Sequence, residues 1–302
     1  MQGRAAKVPM TRFRATGLLL GLLLCLSACG PTSPVATPIA YLALTDGYWQ
    51  AWVIEPGQKT PRQLTELKAD VSRLSWFPDG KDLLVNLQDG RLFKVDVATQ
   101  DAEAIQAPLA GILDAVVSPR GDQATFSLST SGSVDNNDIW LFDLATGRSR
   151  KLTSMSGLQH EPTWSADGKW VYFLSGTGGQ NHDIWRVDVA GGNAEQLTVN
   201  AAYHFDLALR QDGTAAYSGN STGAYDLWLR HPDGKTQQLT KDSDLDARPS
   251  WTPDGGQLLF ESTRKGRLNL WRLDLESGQI QQVTHTQDGA RQPVPAPVGA
   301  EA

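Results

Sequence analysis

The sequence predicts an all-β protein, a six-bladed β-propeller of four-stranded blades, and three observations carry that prediction. Turn glycines recur at Gly80, Gly121, Gly168, Gly213 and Gly255, spaced by 41, 47, 45 and 42 residues, the period expected of propeller blades. A Leu-Thr or Val-Thr pair closes units at Thr65, Thr153, Thr198, Thr240 and Thr284. Eight of the ten tryptophans fall on only two positions of the unit, and Trp49 and Trp170 alone lie outside them.

The unit beginning HEPTWSADGKWVYFLS at His160 shows how each blade divides. Its first strand, EPTW, ends in an Asp-Gly turn, where glycine supplies the positive φ and Asp bonds its own backbone. The second strand, WVYFLS, is largely apolar, as a strand buried on both faces should be. The third, DIWRVDV, alternates and carries a large aromatic at its third position. That position holds Trp52, Phe93, Trp140, Trp185, Trp228 and Trp271 through the six units, while first strands add Trp76, Trp164 and Trp251. Such rings suit the wedge between blades, which has to be filled to interior density. The fourth strand, AEQLT, is short and polar, as an outer edge should be. Blade two lacks the closing pair and ends near Ile105-Gln106.

The two ends imply how the ring closes. Residues 39–65 supply second, third and fourth strands with no first strand before them, whereas the RQPVPAPVG segment after Thr284 aligns with RPSWTPDG by placing Pro293 on Pro249. The C-terminal segment is therefore expected to complete the N-terminal blade and so remove the open edges. Pro293, Pro295 and Pro297 cost ladder bonds there, which makes this the most demanding step in the count of six. The expected domain lies at 39–297, with a tail at 298–302.

Residues 1–28 hold Arg4, Lys7, Arg12 and Arg14, no acidic residue, and an apolar run from Leu18 to Leu26. This describes a secretory signal, since a run of about nine residues is far short of the roughly 20 that span a bilayer. Residues 29–38 are Pro-, Ser- and Thr-rich and read as a tether. Without the four signal bases the chain has 23 basic and 33 acidic residues, a net of −10, which argues against nucleic acid or anionic lipid as a partner of the folded part. The cysteines are Cys25, inside the signal, and Cys29, just after it, so no disulfide is expected in the domain.

Two resemblances follow from these residues. Leu26-Ser27-Ala28-Cys29 resembles the lipobox of bacterial lipoproteins, which implies cleavage before Cys29 and its acylation. Gly30, in place of an Asp, leans toward the outer membrane in that family, with the domain facing the periplasm. The repeat Pro-x-Trp-[Ser/Thr]-x-Asp-Gly, then [Asp/Asn]-[Ile/Leu]-Trp-x-x-Asp, then Leu-Thr resembles that of TolB-like propellers across residues 39–297. The resemblance implies the fold but no single role, because this repeat serves scaffolds, receptors, peptidase gates and lyases. TolB itself adds an N-terminal domain, for which this sequence offers no matching length.

Zinc-binding His-Glu-x-x-His, phosphate loops and Cys-x-x-Cys pairs are absent from the sequence. The run Asp135-Asn136-Asn137-Asp138 has a calcium-like composition, but Asp138 aligns with Asp183, Asp226 and Asn269, where a short side chain is expected to fold onto its own turn. Asp96, Asp143, Asp188 and Asp274 are expected to open tight turns. The residue before the Pro slot of each first strand is Arg73, Asp114, Glu161, Asp206, Arg248 or Gln292. These six should ring one mouth of the channel, as a wet polar rim or as a ligand site for a cation or a basic group. His160 adjoins Glu161 and His204 lies two residues before Asp206, and a metal held by these histidines and carboxylates would resemble the channel sites of propeller lyases. The expected function is a non-enzymatic, lipid-anchored binding module for a protein or envelope polymer, without a cofactor; the alternative is a metal-dependent channel enzyme such as a polysaccharide lyase.

Overall fold

The computed structural model describes residues 37–107, 109–128, 137–177, 182–199, 204–220 and 223–298. The signal segment, Cys29, most of the tether, Asp135, Asn136 and the last four residues of the tail lie outside them.

Six four-stranded antiparallel sheets make up the domain. Blade I comprises β1 (Ile39–Thr45), β2 (Tyr48–Ile54) and β3 (Arg62–Gln63), and blade II β4 (Val71–Trp76), β5 (Asp82–Leu87), β6 (Leu92–Asp96) and β7 (Ala102–Ile105). Blade III holds β8 (Leu113–Val117), β9 (Gln123–Leu128), β10 (Asp138–Asp143) and β11 (Ser149–Lys151), and blade IV β12 (Gln159–Trp164), β13 (Trp170–Ser175), β14 (Asp183–Asp188) and β15 (Glu195–Gln196). Blade V holds β16 (His204–Leu209), β17 (Ala215–Gly219), β18 (Asp226–Arg230) and β19 (Thr236–Gln238). Blade VI holds β20 (Asp246–Trp251), β21 (Gln257–Ser262), β22 (Asn269–Asp274) and β23 (Ile280–Gln282), after which β24 (Ala290–Pro295) returns to pair with β1.

Closure therefore follows the alignment of the two ends. Ile39 pairs with Pro295 and Ala43 with Ala290, and the ladder shifts between Ala40 and Leu42. Pro293 falls in that shift, where the extra residue of a bulge forms no ladder bond, so its missing N–H costs nothing. Past the strand, the Ala296 N–H still donates to Pro38 O at 2.8 Å.

The first strands touch one another around the axis in the order β24, β4, β8, β12, β16, β20 and back to β24. Second strands are mostly buried, β21 at all six of its residues and β17 at all five, while β7 and β15 are largely exposed. First-strand tryptophans tie neighbouring blades together: the indole N–H groups of Trp76, Trp164 and Trp251 donate to Val294 O, Val116 O and Ala208 O at 2.8, 3.1 and 3.3 Å. Each acceptor lies on the preceding blade's first strand, so the ring fills the wedge and closes a hydrogen bond in one placement. The turn glycines keep their expected conformation, with φ of +69° at Gly168 and +70° at Gly255.

The aligned Asp138, Asp183, Asp226 and Asn269 also make a bond of longer range. Each reaches the threonine that closes its unit. Thr153, Thr198, Thr240 and Thr284 donate their hydroxyls to these side chains at 3.1, 2.8, 3.2 and 2.9 Å. The same hydroxyls accept the buried N–H of Ile139, Ile184, Leu227 and Leu270, each at 2.9 Å. Gln50 and Thr65 repeat the clasp in blade I. The Leu-Thr pair is thus a lock between third and fourth strands. Asp138 also accepts from Lys151 Nζ at 2.7 Å and from the Met155 N–H at 3.3 Å, so its oxygens are already engaged as acceptors. Asp96, Asp143, Asp188 and Asp274 open turns as expected, each accepting backbone N–H groups two or three residues on.

Candidate functional site: the channel mouth

Five of the six ring residues share an unusual backbone. Asp114, Glu161, Asp206, Arg248 and Gln292 have φ between 50° and 58°, the left-handed region that non-glycine residues seldom occupy. Each sits where its first strand slips register against the second. Arg73 is the exception, because in blade II the shift falls one residue earlier, between Val71 and Arg73. Backbone of this kind costs about 1–3 kcal/mol per residue and persists only where its surroundings hold it.

The surroundings that hold it are side-chain oxygens of the preceding blade. The bulge withdraws an N–H from the ladder, and a carboxylate one blade back accepts it. Asp114 Oδ2 takes the Glu161 N–H at 3.4 Å, Glu161 Oε2 takes the Asp206 N–H, Asp206 Oδ2 takes the Arg248 N–H at 3.2 Å, and Glu261 Oε2 takes the Gln292 N–H at 2.9 Å. Between blades II and III the acceptor is Asn86, which receives the Ala115 N–H at 3.2 Å. The acidic arc is thus a chain of inter-blade staples.

Burial and proximity set the charge states. Burial pushes the Glu161 carboxyl up, but the His160 hydrogen bond and the positive charges of His160, Arg73 and Arg248 outweigh it and bring Glu161 down to about 2. Asp206 moves the other way, raised by burial and by the Glu161 charge. Glu261 is also raised, burial outweighing the nearby Arg248, whose Nε lies 3.4 Å from Glu261 Oε1 and 3.9 Å from Asp206 Oδ1. His160 is lowered by burial yet raised overall by Glu161, 3.4 Å away. Its Nε2 lies 2.8 Å from His182 Nδ1, and His182 is held low by burial and by the His160 charge. A protonated His160 donating to a neutral His182 satisfies both directions.

The other suggested ligand, His204, does not join them. Its ring packs edge-on against Tyr217, centroids 4.5 Å apart, it lines a separate cavity with Tyr217 and Trp228, and burial lowers it to about 4. Among the described residues no three His, Cys, Asp or Glu side chains are grouped to hold a metal ion.

Two cavities lie at the ring and share lining residues. The mouth, about 350 Å³, is lined by Arg73, Asp114, Glu161 and Arg248, and also by Trp49, Asp70 and Arg291. The inner cavity, about 220 Å³, is lined by Arg73, Asp206, Arg248 and Gln292. Arg73 and Arg248 border both, so all six ring residues gather at one end of the channel. Sequence reasoning missed Glu261, Arg291, Asp70 and Trp49. For Trp49 the signal was present, since it is one of two tryptophans off the repeat positions; the Arg291 guanidinium lies over its ring, 3.9 Å from the centroid.

Fold and site together define a six-bladed β-propeller with a charged, internally braced channel mouth. Residues 87–227 match the family model of the TolB beta propeller domain. An uncharacterised protein of Agrobacterium fabrum (strain C58) is 25% identical over 229 residues, covering 74% of this chain and 62% of its own, so the chain spans about three fifths of that relative. TolB from Acinetobacter baumannii is similar with a TM-score of 0.76 at 22% identity, over 87% of this chain and 67% of that one. An oligogalacturonate lyase in complex with manganese is similar with a TM-score of 0.58 at 16% identity, over 83% and 75% of the two chains. These structural likenesses show the fold alone, and the TolB propeller model matches residues 87–227 of the chain.

Proposed function

We propose that this chain is a non-enzymatic binding module of the cell envelope, held to a membrane through lipidated Cys29, which docks a protein or an envelope polymer at its channel mouth. The observation that carries the reading is the mouth itself, a 350 Å³ polar recess on a rim whose left-handed residues are pinned by the neighbouring blades. A recess of fixed shape with a few convergent polar groups is the usual form of a recognition site. The likeness to TolB supports a binding role, and the lipobox resemblance supports the anchor.

A photo-crosslinking side chain at Gln88, exposed at this mouth, should give a discrete adduct in native envelopes. The same group at Ala166, exposed at the opposite channel mouth, should give none. Adducts from Ala166 alone would move the site to the other face. The lyase reading has the fold likeness in its favour and predicts bound divalent metal that chelation removes, together with unsaturated products from polygalacturonate. Metal analysis and that assay on purified protein decide between the two, and metal-dependent cleavage would overturn the binding-module reading.

A further inference from the structure

We propose that the channel mouth binds a single carboxylate group, gripped between Arg73 and Arg291. The inference rests on the reading that this mouth is the docking site, and it reverses the polarity that the acidic arc suggests.

Every carboxylate lining the mouth has donors within the protein: Asp70 accepts the Trp49 N–H at 2.8 Å, Asp114 the Ser127 hydroxyl and the Glu161 N–H at 3.4 Å each, and Glu161 the Asp206 N–H. Arg248 faces Glu261 and Asp206. Arg73 and Arg291 differ, since neither guanidinium has a hydrogen bond or an ion pair among the described residues. Arg291 stacks on Trp49, which uses the face of the guanidinium and leaves its in-plane N–H fork unspent. Burial and the nearby Arg248 charge disfavour the Arg291 cation, with Glu261 and Asp70 only partly opposing them, so an arriving anion would be stabilised.

A second observation lies further in. Gln292 is 5% exposed, lines the inner cavity beside Arg73, and neither its amide oxygen nor its amide nitrogen has a partner among the described residues. It offers a neutral donor and acceptor just behind the arginines. A buried polar group of this kind costs free energy until something pairs with it.

The same inventory selects the ligand. A divalent cation would meet three guanidinium groups in a site whose carboxylates already accept bonds. A phosphate monoester carries a charge of about −1.5 to −2 and would be repelled by Asp70, Asp114 and Glu161, which share the walls. A carboxylate carries one charge, is planar, and matches the arginine fork with two parallel hydrogen bonds. Both a uronate sugar and an acidic or C-terminal residue of a polypeptide present that group.

The test is calorimetric titration of the detergent-solubilised full chain at low salt. The probes are digalacturonate, a capped tetrapeptide containing one Asp, their neutral counterparts galactobiose and the Asn peptide, and inorganic phosphate. At least one carboxylate probe should bind, with its neutral counterpart and phosphate at least about tenfold weaker. Arg73→Gln and Arg291→Gln should each weaken that binding by about 10- to 100-fold, the range for losing a charge-assisted hydrogen bond. Arg73→Lys should recover only part of the loss, because it restores charge without the fork. Melting temperatures of the variants establish that each is folded. A stronger response to digalacturonate assigns the carboxylate to an acidic glycan, and a stronger response to the Asp peptide assigns it to a polypeptide. Binding of neither probe, binding unchanged in the Gln variants, or tighter binding of phosphate would overturn the proposal. The Gln88 crosslink is scored separately, so a mouth that docks a partner through other chemistry is told apart from a mouth that docks none.

Discussion

Removal of residues 289–302 is expected to unzip blade I, and the structure sets the scale of the loss. Without β24 the Trp76 indole N–H loses Val294 O at 2.8 Å, and Glu261 loses the Gln292 N–H at 2.9 Å. Both donor and acceptor are buried residues, at 7% and 6% exposure. A buried polar group left without its partner costs about 1–3 kcal/mol, so these two contribute roughly 2–6 kcal/mol before any packing is counted. In a domain of this size 1 kcal/mol shifts the melting temperature by about 2–4 °C, which gives a drop of roughly 4–24 °C. The uncovered edge of β1, where Ala40, Tyr41 and Leu42 are fully buried, adds to it. Thermal unfolding by circular dichroism reads the change, and a synthetic peptide covering residues 286–298 should raise the melting temperature again by re-adding the strand in trans. If the truncated chain does not fold, Trp76→Phe removes the same cross-blade bond and should cost about 1–3 kcal/mol. An unchanged melting temperature in the deletion would refute the closure of blade I by β24.

Three further outcomes are expected. Cys29→Ser should abolish partitioning with membranes, and retention of that variant in detergent-free membrane pellets would remove the lipoprotein reading. Thr284→Val keeps the shape of the side chain but strands the buried Leu270 N–H and leaves Asn269 without its hydroxyl donor, so it should destabilise by about 1–3 kcal/mol; chemical denaturation measures this, and a neutral result would demote the clasp. Asp206 has its pKa raised by burial and by Glu161, so its contribution to stability is present at low pH and is lost as pH rises through the folded-state value. Asp206→Asn still accepts the Arg248 N–H without that penalty, so at pH 7 it should equal or exceed wild type, with the advantage shrinking as pH falls. An advantage that grows in acid would reverse the assigned direction.

The fold was legible because its cause is periodic. The turn glycines, the wedge tryptophans and the unit-closing threonines each satisfy a local requirement once per blade, so the requirement is written repeatedly and the ring can be counted. Even the strand completed from the far end could be found, because Pro293 falls on the repeat. What each repeated residue does was less legible. Thr153 and Asp138 lie 15 residues apart in sequence and meet only once β10 and β11 pair, so sequence alone suggested a local turn. At the site, the first-strand ring was visible as an alignment column, whereas the left-handed backbone of that column was not. Glu261 and Asn86 sit at the same place on β21 and β5, yet no motif marks them, because their partners belong to the next blade.

That difference decides which charges at the mouth are free to act. A count by residue type gives an acidic arc, and the whole chain carries a net charge of −6, so a cationic partner looks natural. Hydrogen-bond accounting gives the opposite answer. A propeller bulge has to hand its displaced N–H to some acceptor, and in four of the six inter-blade contacts that acceptor is a carboxylate. Acids at these positions are engaged in holding blades together, while arginines in the same ring have no backbone group to serve. The outer surface and the mouth thus present opposite invitations. The negative surface disfavours long polyanions at a distance, and salt screens that repulsion beyond about 10 Å at 0.1 M, whereas Arg73 and Arg291 act only on a group that has entered the recess. A site built in this way selects short-range fit over electrostatic capture, so moderate salt should weaken carboxylate binding far less than it weakens adhesion of the same protein to a charged surface.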